Sequence, residues 1–207
     1  MLTQTDKIAL FIDSANLQAA TSALDFEIDY ERLLAEFRRR GRLLRATVYA
    51  AAPAEQGNAY IATFAEWLIG IGYKVVAKGA KEFLDAAGRR KVKYSINVEL
   101  AVAAIELAGH VDNVILFSGD GDLRPLVRAL QRCGVRVTVV STAWSNPSMV
   151  ADELRLEADE FIDLVALQPA IERAASDALH GRESADAGLN GRKTATVHGN
   201  ETRQESQ

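Results

Sequence analysis

Short β-branched, apolar runs alternate with stretches of helical period along most of this 207-residue chain, and that alternation narrows its fold more than any other feature. KIALFI (7–12) reads as a strand buried on both faces. LRATVYAA (44–51), YKVVAK (73–78), NVILFS (113–118), VRVTVVS (135–141) and a short EFIDL (160–164) follow in the same style. Helical patterns fill the gaps. YERLLAEFRRR sets Leu33, Leu34 and Phe37 on one face and stops at Gly41. Beyond Pro53, Ile61, Phe64, Ala65, Leu68 and Ile69 recur at helical spacing, and residues 97–108 place Val98, Ala101, Val102 and Ile105 on an apolar face. Residues 122–132 and PSMVADELRLEA supply two more helices. Strands alternating with helices need crossover connections, so the expected fold class is α/β: a three-layer α/β/α sandwich around a mostly parallel, Rossmann-like sheet.

Two segments break the rhythm. KEFLDAAGRRKVKY (81–94) reads as a hairpin turning near Ala87-Gly88. From Pro169 onward the chain is polar and short of large apolar residues, too poor in burial to offset its ordering entropy. The expected organisation is a domain over 1–168 and a disordered tail over 169–207. A single cysteine, Cys133, suits a reducing cytosol. The N-terminus reads as a first strand rather than a signal peptide, and no apolar run approaches a membrane span, so a cytoplasmic protein without membrane contact is expected.

The ends of two strands carry the chemistry. Asp13 follows the first strand directly in FIDSANL, and Asp120 and Asp122 follow the 113–118 strand in SGDGD. Ligands of open parallel sheets gather beyond the carboxyl ends of the strands. If the two strands are neighbours, three carboxylates converge there, and a shared cation turns their repulsion into binding. Magnesium takes oxygen ligands at about 2.1 Å and keeps waters and substrate phosphates in its shell. The plainer reading is helix capping: Asp122 before a helix with Pro125 in its first turn, and Asp13 or Ser14 before the helix after strand one. Asn16 is placed to orient Asp13 or a metal-bound water, or to bond local backbone. Ser118 is a donor for a carboxylate or a phosphate, and without a G-x-S-x-G elbow around it a nucleophilic role is not expected. His110, His180 and His198 show no metal-ligand spacing.

The net charge of −4 excludes a general basic coat but not a local patch. Lys78, Lys81, Arg89, Arg90, Lys91 and Lys93 cluster around the hairpin against Glu82 and Asp85, with Phe83 and Tyr94 interleaved. Such an arm suits a phosphate chain. Its plain alternative is a solvated hairpin whose lysines discourage edge pairing. The run Arg38, Arg39, Arg40 and Arg42 sits at a helix end, where it complements the macrodipole.

FIDSANL, KEFLDAAGRRKVK, NVELAV, LFSGDGDLRPLV and ADELRLEADEFIDL together resemble the NYN domain family, a branch of PIN-like nucleases, and its bacterial LabA-like members, over roughly residues 7–165. The resemblance implies a PIN-like α/β/α sandwich and a metal-dependent endoribonuclease using Mg2+ or Mn2+. It implies Asp13, Asp120 and Asp122 as acidic ligands, Asn16 as their support, and Asn97 as a further oxygen ligand. Ser118, Lys81, Arg89, Arg90, Lys91 and Lys93 would then meet the RNA. The chain also departs from the family pattern. Tyr94 and Asn97 stand where a glycine and an aspartate are usual, and Ala103 stands where a second helical aspartate is usual. Glu99 and Glu106 flank position 103 as substitute carboxylates or as plain surface residues. Two functional expectations follow: a single-metal ribonuclease, or a catalytically degenerate domain that binds RNA or a protein partner through the hairpin. Exposed strand edges leave room for a homodimer. A haloacid-dehalogenase-like phosphatase is excluded, because Ala15 stands where its second aspartate belongs.

Overall fold

A computed structural model describes residues 3–52, 58–79, 81–84, 90–93 and 96–174. The expected hairpin turn at Ala87-Gly88, Arg89, Tyr94 and the tail from 175 onward lie outside the described residues. Within residues 1–172 the chain forms one compact unit. Its elements run β1 (Lys7–Asp13), α1 (Ser14–Ala23), α2 (Tyr30–Arg40), β2 (Arg42–Ala52), α3 (Asn58–Ile71), β3 (Lys74–Gly79), β4 (Lys81–Leu84) and β5 (Arg90–Lys93). They continue with α4 (Asn97–Leu107), β6 (Asn113–Phe117), α5 (Arg124–Arg132), β7 (Arg136–Ser141), α6 (Asp152–Glu157), β8 (Glu160–Asp163) and α7 (Leu164–Ile171).

Six strands form one sheet in the order β3-β2-β1-β6-β7-β8, every neighbouring pair parallel. From β1 the chain winds outward through β2 to β3, then returns to lay β6 on the other side of β1. The β1/β6 seam is thus the switch point where a ligand crevice forms in open α/β sheets. β4 and β5 pair antiparallel as a separate ribbon, as the hairpin pattern predicts, with Lys81 opposite Lys93 and Phe83 opposite Lys91.

Period-two alternation divides the core between the two faces of the sheet. Ile8, Leu10, Ile12, Ile115 and Phe117 pack with Leu33, Leu34 and Phe37 of α2, Leu68 of α3 and Leu164 and Ile171 of α7. Ala9, Phe11, Leu116 and Val139 pack on the opposite face with Leu100 of α4, Leu130 of α5 and Leu154 of α6. Both faces being covered explains why the strands read as continuous apolar runs. The α/β/α sandwich expected from the sequence is the observed fold, and among the described residues no helix is long and apolar enough to cross a membrane.

Several details differ from expectation. The predicted apolar face of α4 is its outer face: Val98, Val102 and Ile105 are exposed, while Leu100 and Ala104 are buried. Small Ala104 lets the helix lie close to the sheet, so the bulkier residues line a surface groove of about 350 Å³ between α4 and α5. On α3, Ile69 is likewise exposed while Leu68 is buried. The helix expected across PSMVADELRLEA begins only at Asp152, because residues before it bend to meet β6. The chain also does not leave the fold at Pro169. Helix α7 runs through that proline to a buried Ile171, whose carbonyl accepts from Asp29 N–H at 2.8 Å. Burial of Leu167 and Ile171 offsets the backbone bond that proline forfeits. Arg39 and Arg40 both pair with Glu36, and Arg40 lies over the Phe37 ring, so these two members of the basic run are engaged within α2.

With Leu100 buried and Val102 exposed on α4, Leu100→Ala should lose about 2–5 kcal/mol of stability through its cavity, whereas Val102→Gln should stay within about 0.5 kcal/mol of wild type. Urea midpoints measure both, and equal losses would mean that Val102 is packed in a core.

Candidate functional site

β1 ends on Asp13 and β6 ends just before Ser118, and because the strands are hydrogen-bonded neighbours these ends meet. Asp13 is only 7% exposed. Its Oδ1 accepts from Asn16 N–H at 3.2 Å and thereby caps α1, while Oδ2 accepts from the Ser118 hydroxyl at 3.4 Å. Ser118 in turn accepts from Asp120 N–H at 3.2 Å. One buried hydroxyl therefore links the two carboxylate segments and donates to a carboxylate, the first of the two roles its sequence context allows.

Asp120 is fixed from both sides. Its Oδ1 accepts from Asp122 N–H at 3.0 Å, and its Oδ2 accepts from the Asn97 amide at 2.7 Å. The expected cap is thus displaced by two residues: Asp120, not Asp122, caps the short turn at Gly121–Leu123 that leads into α5. Pro125 sits in the first turn of α5, where its missing N–H leaves no bond unmade. Asp122 itself is exposed. Asn16 gives its N–H to Asp13, and its side chain reaches beyond local backbone. Its Oδ1 accepts from Gly119 N–H at 2.8 Å, so it ties the segment after β1 to the segment after β6.

Gly119 is the tightest point. A Cβ there would lie 1.8 Å from the Met149 carbonyl oxygen and 2.8 Å from Ser141 Oγ. The Met149 carbonyl is held by Ser141 Oγ at 3.3 Å, and Ala151 N–H donates to the Gly119 carbonyl at 2.9 Å. The loop after β7 thus forms a wall of the site, a role the sequence did not announce. The only hint was the glycine on each side of Asp120.

Burial pushes the Asp13 carboxyl above its ordinary value, opposed by N–H donors from Asn16 and Ala15 and reinforced by the nearby Asp120 charge. Among the described residues no group of three or more His, Cys, Asp or Glu side chains is arranged to hold a metal ion. The substitutes flanking Ala103 do not fill the gap: Glu99 pairs with Lys78 at 2.5 Å and Glu106 is exposed. Ala103 packs against the core. Lys78 is thereby engaged within the domain, while Lys81, Arg90, Lys91 and Lys93 belong to the β4–β5 ribbon.

Two outcomes follow. Gly119→Ala should destabilise the fold by about 3 kcal/mol or more, because backbone blocks the new methyl. Gly121→Ala should cost far less, since there the nearest atom is the flexible end of Glu153, at 2.7 Å. Denaturant midpoints test the contrast, and equal tolerance would refute the close approach.

The second outcome concerns pH. With a folded value above the ordinary 3.8, Asp13 binds its proton more readily in the folded state, so its contribution to stability falls as pH rises from 3.8 through the folded value. Asp13→Asn keeps a capping oxygen and removes the charge. In the presence of chelator it should raise the Tm at pH 7, with the gain vanishing as pH falls below about 3.8. A variant less stable than wild type at pH 7 would contradict the burial argument.

With this geometry in hand, comparison with known proteins is informative. The chain is 28% identical over 179 residues to the Low amplitude and bright protein LabA of Synechococcus elongatus, covering 84% of this chain and 91% of that relative. A crystal structure of a protein of unknown function from Vibrio parahaemolyticus superposes with a TM-score of 0.62 at 29% identity, covering 78% of this chain and 94% of that one. The NYN domain profile matches residues 7–168, which takes in every element from β1 into α7. The chain belongs to the NYN domain family.

Proposed function

We propose that this NYN domain hydrolyses RNA phosphodiester bonds with the help of one Mg2+ or Mn2+ ion at Asp13 and Asp120. The observation that carries the reading is the pairing of these two carboxylates through Ser118 at the β1/β6 switch point. Asp13, whose carboxyl burial and the nearby Asp120 charge push upward, favours a cation for the same electrostatic reason. The donor chemistry suits one hard cation, which magnesium sites commonly hold through one or two carboxylates plus waters and substrate phosphates. It does not suit two, because Asn97 adds no charge and Ala103 adds no ligand.

When bound, such an ion supplies Lewis acidity toward a phosphate oxygen and lowers the pKa of a coordinated water. The protein's own part is positioning. Ser118 and the Asn16 N–H fix the Asp13 carboxylate, and Asn97 and the Asp122 N–H fix that of Asp120. Exposed Asp122 lines the α4–α5 groove with Asn97 and offers a further carboxylate to an incoming ligand shell. In the hydrolysis, a water oxygen bonds to phosphorus, the phosphorus bond to the leaving ribose oxygen breaks, and the water proton ends on that oxygen. The basic β4–β5 ribbon, with Arg89 beside it in sequence, supplies charge for the flanking backbone.

One observation favours a second reading. Asn97 spends its amide on Asp120 rather than leaving both oxygens of that carboxylate for a cation. On that reading the domain is catalytically degenerate and binds RNA or a protein through the ribbon.

Asp120→Asn should abolish metal-stimulated cleavage of single-stranded RNA, a loss greater than the roughly 10- to 100-fold typical of residues that only orient a metal ligand. It should also lose calorimetric binding of Mn2+ while melting as a folded domain. Cleavage undiminished in the variant removes the site assignment, and a wild type that neither binds metal nor cleaves leaves the binding module.

A further inference from the structure

The loop from Thr142 to Ala151 lies at the same edge of the sheet as Asp13 and Asp120, and it is fastened at both ends. Thr142, fully buried, donates its hydroxyl to Asp163 at 3.0 Å, and Ala143 N–H donates to the other oxygen of Asp163 at 3.0 Å. At the far end Ala151 N–H reaches the Gly119 carbonyl at 2.9 Å. Between these anchors Trp144 N–H donates to Thr142 Oγ1 at 3.1 Å, so its backbone is held as well. Yet its side chain is 78% exposed. The other tryptophan, Trp67, packs against Tyr30 and Phe64. A tryptophan held out on a fixed backbone offers an apolar ring with one polar N–H, the kind of side chain enriched at contact surfaces.

Trp144 stands on the same edge of the sheet as the carboxylate pair, at the end of β7. β7 lies beside β6, about 4.8 Å away, with Val140 opposite Phe117. Asp120 is three residues past Phe117 and Trp144 is four past Val140, which keeps the Trp144 Cα within about 14 Å of Val140. The far end of the same loop bonds the Gly119 carbonyl, one residue before Asp120, so one strand of RNA with a phosphate at Asp13 and Asp120 runs along the edge that carries the ring.

We infer that Trp144 is a base-stacking platform, on which an unpaired nucleobase of single-stranded RNA rests while a neighbouring phosphate lies at Asp13 and Asp120. The inference builds on the RNA reading above and adds a strand preference to it. Every base presents a π-face, so stacking on one indole tolerates any sequence. A duplex keeps its bases stacked inside and has none to offer, so Trp144 selects single strands and loops over paired RNA. Trp144 is a positioning residue: it holds the chain in place and takes no part in bond breaking.

The test uses the intrinsic fluorescence of the full chain, which has two tryptophans. A short mixed-sequence single-stranded RNA is titrated with calcium in place of magnesium, since calcium also takes oxygen ligands but in a looser geometry. The wild type should show quenching, and Trp144→Ala should lose that quenching while Trp67 still emits. Affinity should fall by about 5- to 150-fold, the equivalent of the roughly 1–3 kcal/mol that one stacked base contributes. Trp144→Phe should recover most of it, and an abasic oligonucleotide should bind wild type and Trp144→Ala alike. Unchanged RNA affinity in Trp144→Ala overturns the stacking role and leaves RNA binding standing. A wild type that binds no RNA overturns both. Quenching by anionic phospholipid vesicles but not by RNA assigns the residue to a membrane surface and overturns the platform.

Discussion

The approach of Gly119 to the Met149 carbonyl, with Asn16 bonding the Gly119 N–H from the opposite side, holds the ends of three strands in one fixed arrangement. Backbone is clasped there between a side chain delivered by α1 and a carbonyl delivered by the loop after β7. The positions of Ser118 and Asp120 follow, because they are the residues on either side of the clasped glycine. No side chain other than hydrogen fits, so the spacing between the two carboxylate segments is set by backbone, which moves little. That is the rigidity a site needs when tenths of an ångström decide its chemistry.

The electrostatics build on this frame. Asp13 is drawn into a buried position by its cap to α1, yet its charge is not welcome there. Two N–H donors and one hydroxyl compensate it, and the balance still leaves its pKa raised. Asp120 adds repulsion from across the seam. A chain selected only for stability would relieve this pair with an amide or a serine, each of which also caps a helix well. Both aspartates do cap, and two like charges where neutral caps would serve are the feature on which the proposed ligand site rests.

Much of this was legible in the sequence because burial on both sheet faces writes strands as unbroken apolar runs, and β1, β6 and β7 stand where those runs stand. The pairing of FIDSAN with SGDGD was also legible, since strand-end carboxylates of neighbouring parallel strands must meet. What failed did so for reasons of size and long-range contact. On α4 the larger apolar residues suggested a core face, but small Ala104 beside Leu100 is what fits against the sheet. Asn16 was read against nearby residues, whereas its partner lies 103 positions away. Pro169 looked like an end, and only the burial of Ile171 against α2 and its neighbours shows why the helix continues through it.

Charge counting links the missing carboxylates to the arrangement of those that remain. Asn97 occupies the first position of α4 and donates to Asp120, so it replaces a potential ligand with a restraint on one. The exchange removes a negative charge and, at the same time, fixes the orientation of an existing one. Restraint lowers the entropy lost when a carboxylate binds, while the lost charge weakens the Coulomb attraction; in a half-buried site with an effective dielectric near 20, one charge at about 4 Å is a matter of roughly 4 kcal/mol. Hydrogen bonding to a carboxylate returns less, about 1.5–3 kcal/mol. On the proposed one-metal reading, net cation affinity is therefore lower than in a four-acid site, and substrate phosphate oxygens would complete more of the ion's shell. On the proposed reading, a nucleic acid backbone strengthens metal binding and the metal strengthens backbone binding in turn, which makes the two mutually dependent.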